Sequence, residues 1–108
     1  MRISTRDLPG TTVVDVSGDV DMSTSPNFRR ALLESLKKNA RLAVNLTDVR
    51  YVDSSGIASL VEVFKAARDA EKRLVLYGLN KAVHEVLQLT RLSKIFEIRK
   101  TEEEALQA

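Results

Sequence analysis

Cysteine is absent from this chain of 108 residues. That excludes disulfides, thiol nucleophiles and cysteine-held metals, and it fits a cytoplasmic protein. Histidine occurs once, as His84, inside an apolar-periodic stretch. A serine nucleophile needs a base held by an orienting group, so hydrolase chemistry lacks its usual proton acceptor. The four glycines, Gly10, Gly18, Gly56 and Gly78, are too dispersed for a dinucleotide fingerprint or a phosphate-binding loop. Aromatics are scarce, two tyrosines and three phenylalanines, and none interleaves with a basic cluster. Net charge is only +2, with Lys and Arg scattered among Asp and Glu, so a nucleic-acid footprint is missing. No apolar run reaches the ~18 residues of a membrane span, and Met1–Leu8 carries charges rather than a signal-peptide core. The expectation is one domain over residues 1–108: not an enzyme, with no cofactor, no resident metal, no membrane insertion and a monomeric free state.

What is present is a β-β-α-β-α-β-α-β-α pattern. Arg2–Asp7 reads as a short edge strand and Leu8-Pro9-Gly10-Thr11 as a type II turn. Thr12–Ser17 follows as a strand with Val14 and Val16 on one face and Val13 on the other. Gly18-Asp19-Val20-Asp21 reads as a loop, with helix-cap candidates at Ser23, Thr24 and Ser25 before Pro26. A first helix runs to about Lys38 and buries Phe28, Leu32, Leu33 and Leu36. Arg41–Leu46 is a central strand, and Thr47–Asp53 leads into a second helix, about Ser55–Ala70. That helix buries Ile57, Leu60, Val61, Phe64 and Ala67, with Ser59, Glu62, Val63 and Ala66 turned outward. Leu74–Tyr77 is a strand, Lys81–Leu89 a helix with Val83, Val86 and Leu87 inward, and Ile95–Arg99 a last strand. Thr101 with Glu104 is a capping box opening a short C-terminal helix. The alternation predicts an α/β fold with a mixed, mostly parallel sheet, an antiparallel N-terminal edge strand and amphipathic helices.

In open parallel sheets, functional surfaces lie at the carboxyl ends of strands. Two segments fall there, Gly18–Ser25 and Thr47–Gly56. In the second, Asp53-Ser54-Ser55-Gly56-Ile57 sits where a helix begins. Serine is a favoured cap, and a helix N-terminus tolerates a phosphoryl group through its unsatisfied N–H donors and its dipole. Both readings of Ser54 and Ser55 stand on local chemistry, whereas a nucleophile elbow does not, because the pattern is not Gly-x-Ser-x-Gly. Asp19, Asp21, Asp48 and Asp53 are candidates to gather at one sheet end. Their spacing lacks a calcium-loop pattern, so they read as solvated loop acids and cap partners rather than as a metal site. Gly56 permits close approach by a partner or serves turn geometry.

Three pieces of the chain, in order, resemble the STAS family, and within it the stand-alone anti-sigma factor antagonists. They are Val16-Ser17-Gly18-Asp19-Val20-Asp21; Val44-Asn45-Leu46 with Val49-Arg50-Tyr51-Val52-Asp53-Ser54-Ser55-Gly56-Ile57; and Val83-x-x-Val86-Leu87 with Leu89, Leu92 and Ile95-Phe96. The resemblance implies partner switching. The unphosphorylated protein binds an anti-sigma factor that is also a serine kinase, so the sigma factor is released. The kinase phosphorylates the serine after the signature Asp, here Ser54, with Ser55 the adjacent alternative, and a PP2C-type phosphatase reverses the mark. The expected partner-facing residues are Asp19, Asp21, Ser23, Asp53, Ser55, Gly56 and Ser59. Where the family pattern continues Gly-Leu-Gly, this chain has Gly56-Ile57-Ala58. A second expectation from the resemblance is a soluble subunit of a lipid-transport or other signalling complex.

Overall fold

The Pro9-Gly10 turn closes a hairpin. In the computed structural model, which describes residues 1–107, Gly10 lies at φ 74°, the left-handed conformation that the third position of a type II turn requires. β1 (Arg2–Leu8) and β2 (Thr11–Val20) are therefore antiparallel, with Leu8 opposite Thr11 and Ile3 opposite Val16. The chain then alternates through α1 (Ser25–Leu36), β3 (Arg41–Val52), α2 (Ser54–Asp69), β4 (Arg73–Tyr77) and α3 (Lys81–Leu89). A 3₁₀ turn at Leu92–Lys94, β5 (Glu97–Arg99) and α4 (Glu102–Gln107) follow. β2 to β5 are parallel, and the sheet order is β1-β2-β3-β4-β5.

The sheet order never reverses, so successive crossovers of one hand stack their helices on one face. That face holds the main core: Val14, Val44, Leu46, Leu74 and Leu76 from the strands meet Phe28, Leu32, Leu60, Val63, Val83 and Leu87 from α1, α2 and α3. The opposite face is covered by α4, where Ala105 seals Val13, Ala43, Val75 and Tyr77. Polar contacts hold α4 in place. The Tyr77 hydroxyl donates to Glu102 at 2.7 Å. Arg6 grips Asp15 at 2.7 and 2.8 Å and also binds Glu102, while Arg41 donates to the Leu106 carbonyl. Burial, reinforced by Glu102, pushes the Tyr77 phenol up.

The structure differs from the sequence reading at four points. First, β2 and β3 do not stop at Ser17 and Leu46; they stay paired through Gly18↔Val49, Asp19↔Tyr51 and Val20↔Val52. Register shifts between Asp15 and Ser17 and between Gly18 and Asp19 interrupt the two-residue alternation, so both segments read as loops. Gly18, at φ 94°, takes a backbone conformation there that other residues rarely adopt. Second, of the α2 residues read as outward only Glu62 is exposed. Val63 is fully buried, Ser59 is 6% exposed and Ala66 packs on the core, because α1 lies across this side of α2. The apolar stripe is wider than one row, and Val61 and Phe64 stay partly exposed at its other margin. Third, β5 begins at Glu97; Ile95 is exposed beyond the 3₁₀ turn. Fourth, the capping box of α4 closes only forward. The Glu104 N–H donates to Thr101 Oγ1 at 3.2 Å, but the Glu104 carboxylate accepts from the Lys100 N–H.

Candidate functional site

β2 and β3 end side by side, so the residues after them, Asp21 and Asp53, emerge together. The Asp53 N–H donates to the Val20 carbonyl at 3.0 Å, locking the start of α2 to the end of β2. Asp53 then caps the helix that follows it, while the Asp21 carboxylate closes the turn that leads into α1. Asp53 has extended backbone (φ −91°, ψ −173°), and its Oδ1 accepts from the N–H groups of Ser55 (2.9 Å) and Gly56 (3.1 Å). The same oxygen accepts the Ser55 hydroxyl at 2.6 Å. The cap of α2 is thus Asp53, not a serine, because a short carboxylate one residue earlier reaches both donors. Asp21 Oδ1 accepts from the Ser23 N–H (3.0 Å), the Ser23 hydroxyl (2.7 Å) and the Thr24 N–H (3.2 Å). Thr24, the N-cap position of α1, makes no side-chain cap bond; its hydroxyl donates to the Asp19 carbonyl at 2.9 Å.

These bonds set the electrostatics. The Ser55 hydroxyl first, then the Gly56 and Ser55 N–H groups, hold the Asp53 carboxyl below the usual range; partial desolvation and the nearby Asp21 charge oppose them. Asp21 is held low by the Ser23 hydroxyl and the Ser23 and Thr24 N–H groups. The two carboxylates are close enough to repel, and both remain ionised at neutral pH. Asp19 lies beside them, with Arg50 at 3.3 Å from its carboxylate.

Ser54 is different. It is the first residue of α2 and exposed, and its hydroxyl has no hydrogen-bond partner among the described residues. Of the adjacent pair, one hydroxyl is committed to the cap and the other faces solvent. Ser23 is exposed, with its hydroxyl committed to Asp21. Gly56 and Ser59, expected to face a partner, lie inside. Gly56 is buried, and a Cβ there would meet Val52 and Val20 below 3 Å, so its small size serves helix–sheet packing. Ser59 donates to the Ser55 carbonyl at 3.0 Å beneath α1. Asp48 is exposed on β3, opposite Ser17 and four residues before the end of that strand, so it does not join the pair formed by Asp21 and Asp53. Among the described residues, no group of three or more His, Asp or Glu side chains has metal-holding geometry, and no helix is long and apolar enough to cross a membrane.

Two residues with no role in the sequence reading complete the surface. Met22 is 80% exposed in the turn after β2, and Tyr51 is 52% exposed near the end of β3. Large apolar or aromatic groups standing among carboxylates are the side chains enriched at protein interfaces. A polar turn around Met22 was the available signal for it. Tyr51 was hidden because the bulged strand carrying it read as a loop.

A family model described as the STAS domain matches residues 2–105. The anti-sigma-B factor antagonist of Listeria monocytogenes is 37% identical over 90 residues, 82% of this chain and 79% of that protein. The protein of the same name from Bacillus subtilis is 29% identical over 94 residues, 87% of this chain and 86% of that one. The crystal structure of an anti-sigma factor antagonist from Mycobacterium paratuberculosis superposes with a TM-score of 0.89 at 26% identity, covering 98% of this chain and 91% of that one.

Proposed function

The chain belongs to the STAS domain family, and on that premise we propose that it is an anti-sigma factor antagonist that works by partner switching. In its unphosphorylated form it binds an anti-sigma factor that is also a serine kinase, and the sigma factor is released. The kinase transfers the γ-phosphoryl group of ATP to the Ser54 hydroxyl oxygen, the hydroxyl proton is lost and ADP leaves. A PP2C-type phosphatase hydrolyses the phosphoserine and restores binding. Such partners place the protein in the cytoplasm.

The observation that carries this reading is the contrast between the two serines. Ser55 gives its hydroxyl to Asp53 at 2.6 Å, so phosphorylating it would remove that bond and set a phosphate against the capping carboxylate. Ser54 is exposed and unbonded, so a kinase can reach its oxygen without disturbing the helix. The mark adds about −1.5 to −2 charges. A helix N-terminus ordinarily welcomes such a group. Here Asp53 already occupies the Ser55 and Gly56 donors, and Asp21 adds a second carboxylate nearby. Phosphorylation therefore alters the surface, turning a patch with Met22 and Tyr51 exposed beside two acids into a strongly anionic one. Like charge set against a partner costs several kcal/mol, enough to weaken binding by about 100-fold or more.

The test is phosphate mapping by mass spectrometry after incubation with ATP and a candidate kinase, with wild type, Ser54→Ala and Ser55→Ala in parallel. Phosphate lost only in Ser54→Ala supports the assignment, and loss only in Ser55→Ala moves it to Ser55. An unmodified wild type, with the kinase active on another substrate, removes the phosphorylation switch.

A further inference from the structure

A cavity of about 620 Å³ opens between α3, the 3₁₀ turn and β5, apart from the Ser54 surface. Its wall is part apolar and part polar. Leu79, Phe96 and Ile98 supply the apolar part, and Phe96 is fixed from behind by an edge-on contact with Phe64, ring centroids 5.6 Å apart. The polar part is His84, Ser93 and Lys100, and no hydrogen bond or ion pair engages any of these three side chains among the described residues. That sets them apart from Asp21, Asp53, Ser55, Asn80 and Arg6, whose polar atoms are consumed in caps and bridges.

One carboxylate, Glu97, also lines the cavity, but its charge is spent. Arg73 binds it at 2.6 and 2.8 Å from behind, and Arg99 at 2.9 Å. Arg73 first, then Arg99 and Arg41, hold its carboxyl below the ordinary range. With Glu97 held by Arg73 and Arg99, the unpaired charge on the cavity wall is the cation of Lys100. Pockets of about 300–1,000 Å³ with an apolar lining and a few convergent polar groups are the usual sites for small ligands.

We infer that this cavity binds a small organic anion: a carboxylate or phosphate monoester on a compact apolar body, its charged end on Lys100, Ser93 and His84 and its body against Phe96, Leu79 and Ile98. The inference stands apart from the reading of Ser54, and a Ser54→Ala variant should bind as wild type does.

The experiment is an amide chemical-shift titration of the whole chain with benzoate, phenyl phosphate, inorganic phosphate and benzylamine. Benzoate and phenyl phosphate should give saturable shifts centred on His84, Ser93, Phe96 and Lys100 at millimolar concentration or below. Benzylamine should give none, and inorganic phosphate should bind at least several-fold more weakly than phenyl phosphate. Lys100→Glu, an exposed change that leaves the core intact, should weaken the organic anions by about tenfold. The inference is overturned if neither organic anion saturates, if benzylamine matches them, or if inorganic phosphate binds as tightly as phenyl phosphate. Unchanged affinity in Lys100→Glu, with the fold confirmed by its spectrum, overturns it as well.

Discussion

Replacing Gly56 by alanine separates two roles for this residue. A Cβ on Gly56 would stand 2.6 Å from Val52 Cγ1 and 2.8 Å from Val20 Cγ1. Carbon atoms pack at about 3.5–4.0 Å, so the helix or the valines must yield by close to 1 Å. Neither valine has room, since Val20 is 0% and Val52 1% exposed. Overpacking of this kind costs about 1–3 kcal/mol. Alanine returns at most about 1 kcal/mol through its better helix propensity. Two contacts this short put the cost in the upper part of that range, about 2–3 kcal/mol, so the expected net loss is about 1–2 kcal/mol, or a fall in Tm of about 4–8 °C per kcal/mol for a domain near this size. Urea unfolding followed by circular dichroism should show a lower midpoint with an unchanged slope. Val20→Ala clears one of the two contacts, so it should cost less in the Gly56→Ala background than in wild type, a coupling of about 0.5 kcal/mol or more. If Gly56→Ala melts at or above wild type, internal packing does not explain the glycine, and close approach by another protein becomes the better reason for it.

Val63→Ala should cost about 2–3 kcal/mol in the same assay, from two methylene equivalents at ~0.8 kcal/mol each plus a cavity term; a loss under 0.5 kcal/mol would mean that α1 does not cover this face of α2. Ala105→Asp places a charge in the sealed second face, and hydrogen exchange should speed up over residues 102–107 while α2 and β3 stay protected; uniform loss of protection would show that α4 is integral to the fold. Acid should destabilise the protein. The folded-state pKa values of Asp21, Asp53, Asp15, Glu97 and Glu102 lie below their ordinary values, 3.8 for Asp and 4.5 for Glu, so the stability they lend is complete above those values and lost as pH falls through the depressed ones. Urea midpoints should therefore hold steady down to about pH 5 and fall below it, and Asp53→Asn, which keeps a cap acceptor, should flatten part of that fall. Ser54→Ala, touching nothing inside, should leave stability within about 0.5 kcal/mol of wild type by the same measurement.

The order and type of the elements were legible because each is local: apolar period, cap and turn residues recur within a dozen positions. α3 was readable to its bounds, Lys81–Leu89, and the edge strand and the Pro9-Gly10 turn followed from composition alone. Bulged strands were not legible, since β2 and β3 lose the two-residue alternation where they pass Ser17 and Leu46. The buried face of α2 was misread because one helix stripe was assigned to the sheet, with none reserved for α1; Ser59 and Val63 fill that second stripe. At the site, the Asp-Ser-Ser run was visible, but the division of labour within it was not. Whether Asp53 takes the Ser55 hydroxyl depends on the extended backbone of Asp53, which the end of β3 sets. The Arg6–Asp15–Glu102 bridge joins residues up to 96 apart, and no local pattern announces it.

Sheet order equal to chain order also governs how the protein assembles. Each strand finds its partner in the strand made just before it, so the sheet can grow strand by strand during synthesis. α4 breaks that rule. Its anchor to Arg6 joins residues 96 apart, so the second face is sealed only after Glu102–Gln107 has been made. Until then Val13, Ala43 and Val75 lie bare on an otherwise finished sheet. The nascent protein is therefore prone to aggregate in the interval before α4 docks, which is where a chaperone would matter most.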